Sequence, residues 1–152
     1  MPRSARIVLP GLPHHVTQRG NRRQETFFDD SDYALYLDLL TRHACALGVA
    51  CWAWCLMPNH VHLVLVPARP EALAALMQRV HQAYTLAVNA REGWTGCLWQ
   101  GRFASYAMDE GHALAAVRYV ELNPVTARLV RRAQDWVWSS AAAHLDGRLD
   151  PL

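Results

Sequence analysis

Lysine is absent from this 152-residue chain, and all 15 of its basic residues are arginine. The arginines that precede the first acidic residue, Glu25, make residues 1–24 a purely basic segment, although the net charge of the chain is only +2. They are Arg3, Arg6, Arg19, Arg22 and Arg23. Because a planar guanidinium pairs well with phosphate and with guanine edges, this segment favours a nucleic acid as the partner. The charge alone fits an arginine-rich, solvated surface equally well.

Long apolar runs are also absent. No window approaches the length of a membrane-spanning helix, and the N-terminus lacks the apolar stretch of a signal peptide. We therefore expect a cytoplasmic protein with no membrane partner. The length of the chain and its hydrophobic content of 52% fit one domain over residues 1–152, with a C-terminal tail at residues 125–152.

A Cys-x-x-Cys pattern is missing too, so the cysteines are expected to be small buried hydrophobic side chains. They are Cys45, Cys51, Cys55 and Cys97. Cys51 and Cys55 would lie about 13 Å apart on one strand, which is too far for both thiolates to bind one ion. A zinc hydrolase that combines one cysteine with two histidines stays open as a hypothesis.

The hydrophobic pattern that is present changes between strand and helix periods along the chain. It predicts strands at about 14–19, 49–56, 60–66 and 102–107, and helices at about 31–47, 71–90 and 109–122. We expect Ser31 or Asp30 to cap the first helix and Pro124 to end the third. A further helical turn is expected after Ser139 or Ser140. This order predicts an α+β ferredoxin-like sandwich with an antiparallel sheet, helices on one face and an added C-terminal helix.

His60 and His62 stand two positions apart on the third predicted strand. Residues i and i+2 of a strand point to the same face and lie about 6.6 Å apart, so the two imidazoles can converge on one ion. Val61 and Leu63 then point to the core. Since two histidines alone make a weak metal site, we expect a third protein ligand.

Tyr119 and Asn123 share one face of the third predicted helix, one turn apart. The amide oxygen of Asn123 could bind a hard divalent cation beside the Tyr119 hydroxyl. Alternatively, Tyr119 is an amphipathic core residue and Asn123 is the C-cap of the helix. The spacing alone favours this second interpretation.

Several motifs of the chain, taken together, resemble one family. His60-Val-His62 is similar to the His-hydrophobic-His motif of the HUH endonucleases. With Tyr119-x-x-x-Asn123-Pro-Val, it resembles the single-tyrosine transposases, most closely their REP-associated branch. Further similar stretches are His15-Val-Thr-Gln-Arg-Gly-Asn-Arg22, Trp99-Gln-Gly-Arg102 and Trp136-Val-Trp-Ser-Ser140. The resemblance extends over roughly residues 6–145.

The resemblance implies a metal-dependent transposase that nicks and joins single-stranded DNA near hairpins. Tyr119 would be the nucleophile and would form a 5′-phosphotyrosine intermediate. A divalent ion, Mg²⁺ or Mn²⁺, would be held by His60, His62 and Asn123. The residues expected to bind DNA are Arg19, Arg22, Arg23 and Arg102. The resemblance leaves open whether the protein is a monomer or a homodimer.

The sequence also allows a function without catalysis. A ferredoxin-like module that only binds nucleic acid through its sheet is the alternative function, although the third strand lacks the stacking aromatic residues of RNA-recognition domains.

His81 and His112 lie on predicted helices. They could touch DNA, but such surface histidines are usually only solvated.

Overall fold

A computed structural model describes residues 4–152, so Arg3 of the basic segment lies outside the described residues. The strands are β1 (His14–Arg19), β2 (Val49–Met57), β3 (His60–Pro67) and β4 (Ala104–Ala107). The α-helices are α1 (Asp30–Leu47), α2 (Ala72–Glu92), α3 (Glu110–Thr126) and α4 (Ala141–Asp146). Short 3₁₀ helices lie at Asn21–Arg23 and Ala133–Asp135.

The four strands form one antiparallel sheet in the order β2-β3-β1-β4. This order, with α1 and α2 as the two crossover helices, confirms the predicted ferredoxin-like α+β fold. β3, which carries both candidate histidines, lies in the interior of the sheet between β1 and β2. Its backbone is therefore hydrogen-bonded to a strand on each side.

The two faces of the sheet are covered differently. One face packs against α1 and α2 and contributes Val61, Leu63 and Leu65 of β3 to a large buried core. The other face meets α3 through a smaller cluster. It consists of Ala53, Cys55, Met57, Val64, Ala116 and Val120. The added C-terminal helix therefore lies opposite α1 and α2, on the face to which strand alternation directs His60 and His62.

Most helix boundaries agree with the sequence prediction, and α3 is the main exception. α1 is capped by Asp29, whose carboxylate accepts from the Asp32 amide, rather than by Asp30 or Ser31. α3 continues through Pro124 to Thr126, beyond the predicted end at Leu122. Proline removes only one N–H donor, and Pro124 lies buried in the last turn, where later bonds such as Ala127 N–H to the Asn123 carbonyl maintain the helix.

Residues 136–140 run beside the outer edge of β2. The Leu56 amide donates to the Trp138 carbonyl at 2.9 Å, and the Ser140 amide donates to the Trp54 carbonyl at 2.9 Å. We call this pairing the tail seam. It continues into α4, so the C-terminal tail is attached to the sheet along β2.

The cysteines only partly follow the expectation. Cys55 is buried and Cys51 is half-buried, whereas Cys45 and Cys97 are exposed. Both exposed cysteines lie near an end of a helix or in a loop, where the pattern of the core does not constrain them. Within residues 4–152, no helix is both long and apolar enough to cross a membrane.

Candidate active site

His60 and His62 lie side by side on β3, with ring centroids 4.9 Å apart. In the register of the sheet, His60 is opposite Arg19 of β1, and His62 is opposite Thr17. His60 is half-buried, and His62 is 7% exposed. The same-face arrangement that the strand spacing predicts is therefore present.

His60 uses one ring nitrogen in a hydrogen bond, and His62 uses both. His60 Nδ1 lies 2.6 Å from the amide oxygen of Asn59, which can only accept, so His60 carries its proton on Nδ1. On the other ring, His62 Nδ1 lies 3.1 Å from Nε2 of His15, and His62 Nε2 lies 3.4 Å from the amide nitrogen of Asn123. His60 Nε2 thereby keeps a free lone pair, whereas the lone pair of His62 Nε2 faces the amide nitrogen of Asn123.

The electrostatic environment keeps these rings neutral. Burial, and then the neighbouring His60, His15 and Arg19, lowers the pKa of His62 to about 3. Burial and Arg19 also lower the pKa of His60, and burial lowers that of His15. The neutral imidazole is the form that binds a metal ion.

Tyr119 and Asn123 approach this pair from α3. The Tyr119 ring lies edge-on to His62, with ring centroids 5.5 Å apart, and its side chain is 56% exposed. Asn123 lies within the helix, whose C-cap is Ala127. The alternative of a core tyrosine followed by an asparagine cap is therefore wrong. Pro124 does not stop the helix at Asn123, and the tyrosine faces solvent beside the histidines.

An open cavity of about 430 Å³ lies over the histidines. Its lining includes His15, Thr17, His60, His62 and Tyr119, and two of the predicted DNA-binding residues, Arg19 and Arg102. Arg22 and Arg23 do not line it. They lie exposed in the 3₁₀ turn after β1 with φ of 55° and 60°, and the Arg23 carbonyl accepts a hydrogen bond from the Asn59 amide.

The donor set fits a hard or borderline divalent ion better than a structural zinc. Within the described part of the chain, no three His, Cys, Asp or Glu side chains are grouped to hold a metal. Cys55 is opposite His62 in the register, but burial and the nearby Glu121 raise the pKa of its thiol and disfavour the thiolate that zinc requires. Two neutral imidazoles and an amide remain as candidate donors, so the zinc hydrolase hypothesis loses support.

Sequence reasoning missed the roles of two residues. His15 was placed on a strand but not in the site, because only the register of β1 against β3 shows that it meets His62. The sequence predicts that His81 is solvated or touches DNA, but the residue is half-buried. Its Nε2 is hydrogen-bonded to the Tyr36 hydroxyl at 2.9 Å, and its ring stacks on Trp99 with ring centroids 4.5 Å apart. His112 is exposed, as expected.

Comparison with known proteins gives this site a context. The sequence model of the IS200-like transposase family matches residues 10–123 of this chain. A solved REP-associated tyrosine transposase bound to a REP hairpin has a TM-score of 0.81 and 20% identity, covering 99% of this chain and 90% of that chain. The solved structure of a putative transposase from Deinococcus radiodurans R1 has a TM-score of 0.53 and 23% identity, covering 79% of this chain and 96% of that chain. No curated protein sequence matches the chain.

The fold is that of the tyrosine transposases. Because the family match extends over most of the sequence, the chain belongs to the IS200-like transposase family. The family match confirms the resemblance to the single-tyrosine transposases that the motifs predicted, and membership of the family supports a transposase role. The solved REP-associated transposase shares the fold.

Proposed function

We propose that the protein is a metal-dependent enzyme that nicks single-stranded DNA near hairpins and transfers the cut strand through a 5′-phosphotyrosine intermediate. The observation that carries this proposal is the convergence of four side chains on one open face. His60 and His62 present lone pairs, Asn123 contacts His62, and the exposed Tyr119 lies beside the same ring. Neither a core tyrosine nor a structural histidine pair needs this arrangement.

Tyr119 acts as the nucleophile of the proposed reaction. Its phenolic oxygen forms a bond to the phosphorus of a DNA phosphodiester, and the bond from phosphorus to the 3′ oxygen breaks. The phenol loses its proton, and the departing 3′ oxygen gains one. The 5′ phosphate is now joined to Tyr119, and a later 3′-hydroxyl reverses the same exchange to join strands without an external source of energy.

His60, His62 and Asn123 are the residues that would hold Mg²⁺ or Mn²⁺. Asn123 offers its oxygen to an ion when its carboxamide turns, because the nitrogen now faces His62. The bound ion would polarise the scissile phosphate and offset its charge. Imidazole ligands suit Mn²⁺ better than Mg²⁺, so we expect tighter binding of Mn²⁺.

The arginines divide into two groups for DNA recognition. Arg19 and Arg102 border the cavity and are positioned to bind phosphates of the strand to be cut. Arg22 and Arg23 lie outside it and would bind the flanking DNA, with Asn59 linking their turn to His60. A hairpin is the proposed partner because the similar solved transposase is bound to a REP hairpin.

A labelled single strand that carries a hairpin tests the proposal when it is incubated with the protein and Mn²⁺. We expect a denaturation-resistant adduct with the unsubstituted protein and none with Tyr119→Phe, because phenylalanine lacks the attacking oxygen. Tyr106→Phe is the matched control, since Tyr106 is 67% exposed and opposite His15 in the register but has no amide ligand beside it. It should form as much adduct as the unsubstituted protein.

Equal adduct formation by Tyr119→Phe would refute the role of this tyrosine. If DNA is bound but no adduct forms with any ion, the chain is a nucleic-acid-binding module rather than a nicking enzyme. Gel retardation of the same labelled strand distinguishes these results.

A further inference from the structure

His15 is a third histidine in the candidate site, and neither the histidine motif nor the tyrosine motif includes it. It lies on β1, where it is half-buried and opposite Val64 in the register. Its ring lies edge to edge with that of His62, with centroids 5.3 Å apart and an interplanar angle of 28°. Its Nε2 lies 3.1 Å from His62 Nδ1.

The hydrogen bonds around the two candidate ligands form a matched pair. The Asn59 oxygen accepts from His60 Nδ1 and so leaves His60 Nε2 unprotonated. His62 has no amide oxygen at its Nδ1, and the ring of His15 occupies that position instead. Each ligand therefore has one neighbour that engages Nδ1, which is the common arrangement behind metal-binding histidines.

The direction of the hydrogen bond between the two rings follows from Asn123. The amide nitrogen of Asn123 can only donate, so His62 Nε2, 3.4 Å away, must accept. The single proton of neutral His62 is then on Nδ1 and is donated to His15 Nε2. Neutral His15 consequently carries its own proton on Nδ1.

We propose that His15 is a positioning residue that holds His62 in the Nδ1–H tautomer with its Nε2 turned toward the metal ion. This inference rests on the proposed function, because it assumes that His62 is a ligand. Without an acceptor at this position, the His62 ring can place its proton on Nε2 or rotate, and either change removes a lone pair from the site. His15 acts through His62 and does not itself bind the ion.

Binding of Mn²⁺ in the absence of DNA tests the proposal without relying on activity. Free Mn²⁺ is measured by electron paramagnetic resonance during titration of the protein. We expect His15→Phe, which keeps an aromatic ring at this position but has no acceptor, to weaken binding about 10- to 100-fold. His15→Gln places an amide oxygen within reach of His62 Nδ1 and should restore binding to within a few-fold of the unsubstituted protein.

The tautomer of His62 is a second measurement that a purely structural role would not change. Nitrogen-15 spectra of the metal-free protein, with the His62 signals assigned from His62→Ala, should show a protonated Nδ1 and an unprotonated Nε2. In His15→Phe the Nε2–H form should increase, and in His15→Gln it should not. A protonated Nε2 in the unsubstituted protein overturns the proposal even if His15→Phe does not fold.

The two proposals fail in different ways. If the unsubstituted protein binds no Mn²⁺, or if His60→Ala/His62→Ala binds it unchanged, the metal centre of the proposed function is refuted and this inference with it. If the unsubstituted protein binds Mn²⁺ and His15→Phe binds it equally well, only the role of His15 is refuted. Weak binding by both His15→Phe and His15→Gln, with an unchanged His62 tautomer, also overturns it.

Discussion

The two faces of the sheet use the same strands for different purposes. The face under α1 and α2 is closed by a cluster of large rings that pack on each other. This cluster comprises Phe27, Tyr33, Tyr36, Tyr84 and Trp99. The face under α3 is covered by small side chains such as Ala116 and Val120 and leaves His60, His62 and Tyr119 around an open cavity. One face therefore supplies most of the buried apolar area, and the other presents polar groups on a rigid support.

Truncation of one valine on each face gives the sharpest test of this difference. Val61 and Val64 are both 0% exposed and lie on β3 with opposite orientations. We expect Val61→Ala to lower the free energy of unfolding by about 2–3 kcal/mol, because the large core cannot collapse around the cavity. Val64→Ala should cost only about 1–2 kcal/mol, since α3 can shift toward it.

Urea unfolding measures the free energy of unfolding of both variants. An unchanged slope of this free energy against urea concentration shows that the substitutions leave the unfolded state unaltered. Equal costs would mean that the α3 face is packed as rigidly as the other. A larger cost for Val64→Ala would reverse the comparison.

Polar bonds supplement the limited apolar packing on the α3 side. The buried Ser140 hydroxyl donates to the Glu121 carboxylate at 2.6 Å and accepts from the Trp54 amide at 3.0 Å. Ser140→Ala leaves the Trp54 N–H without this acceptor and should lower the free energy of unfolding by about 1–2 kcal/mol. Because Glu121 follows Tyr119 by two residues, the variant should also form less DNA adduct.

Ser31→Ala is the control for this change, since Ser31 is exposed and bonds only to Asp29 on the surface. It should alter stability by no more than about 0.5 kcal/mol. Similar losses for Ser140→Ala and Ser31→Ala in thermal and urea unfolding would show that α3 does not depend on these bonds.

Each face also contains a histidine whose pKa burial lowers to about 3, and the stability of the protein depends on pH through both. Burial lowers the pKa of His81, on the α2 side, to about 3, as it does for His62 on the other face. The unfolded chain takes up these protons near pH 6.5, whereas the folded chain does not, so stability is full above pH 6.5 and falls as the pH drops toward 3. Each site contributes at most about 1.4 kcal/mol per pH unit.

His81→Gln keeps a group that can bond the Tyr36 hydroxyl but cannot titrate, so it should reduce the loss of stability between pH 6.5 and 4. Urea unfolding of this variant and of the unsubstituted protein at several pH values measures the difference. An unchanged slope in His81→Gln would mean that His81 is protonated normally in the folded chain.

The sequence predicted local features well and relations between elements less well. Alternation on β3 was enough to place His60 and His62 on one face, and the turn-long spacing of Tyr119 and Asn123 was enough to align them on a helix. The contribution of His15 was not predictable in this way, because it depends on which residue of β1 lies next to His62. That register is set by long-range packing and cannot be inferred from the β1 sequence by itself.

The end of α3 shows the same limit. A proline normally disfavours the helix before it, and this rule alone predicted an end at Leu122. The buried position of Pro124 and the bonds beyond it outweigh that preference, and they depend on contacts that local sequence does not contain. The roles assigned to the site residues, and the single domain over residues 1–152, stay predictions.

The tail seam has a consequence for how the protein behaves in concentrated solution. β2 is a nine-residue strand at the edge of the sheet, and an uncovered edge of that length is a template for pairing with another molecule. The tail occupies the Leu56 amide and the Trp54 carbonyl, whereas the opposite edge, β4, has only four residues. The tail thus covers part of this edge, and a chain shortened before Trp136 is expected to aggregate edge to edge.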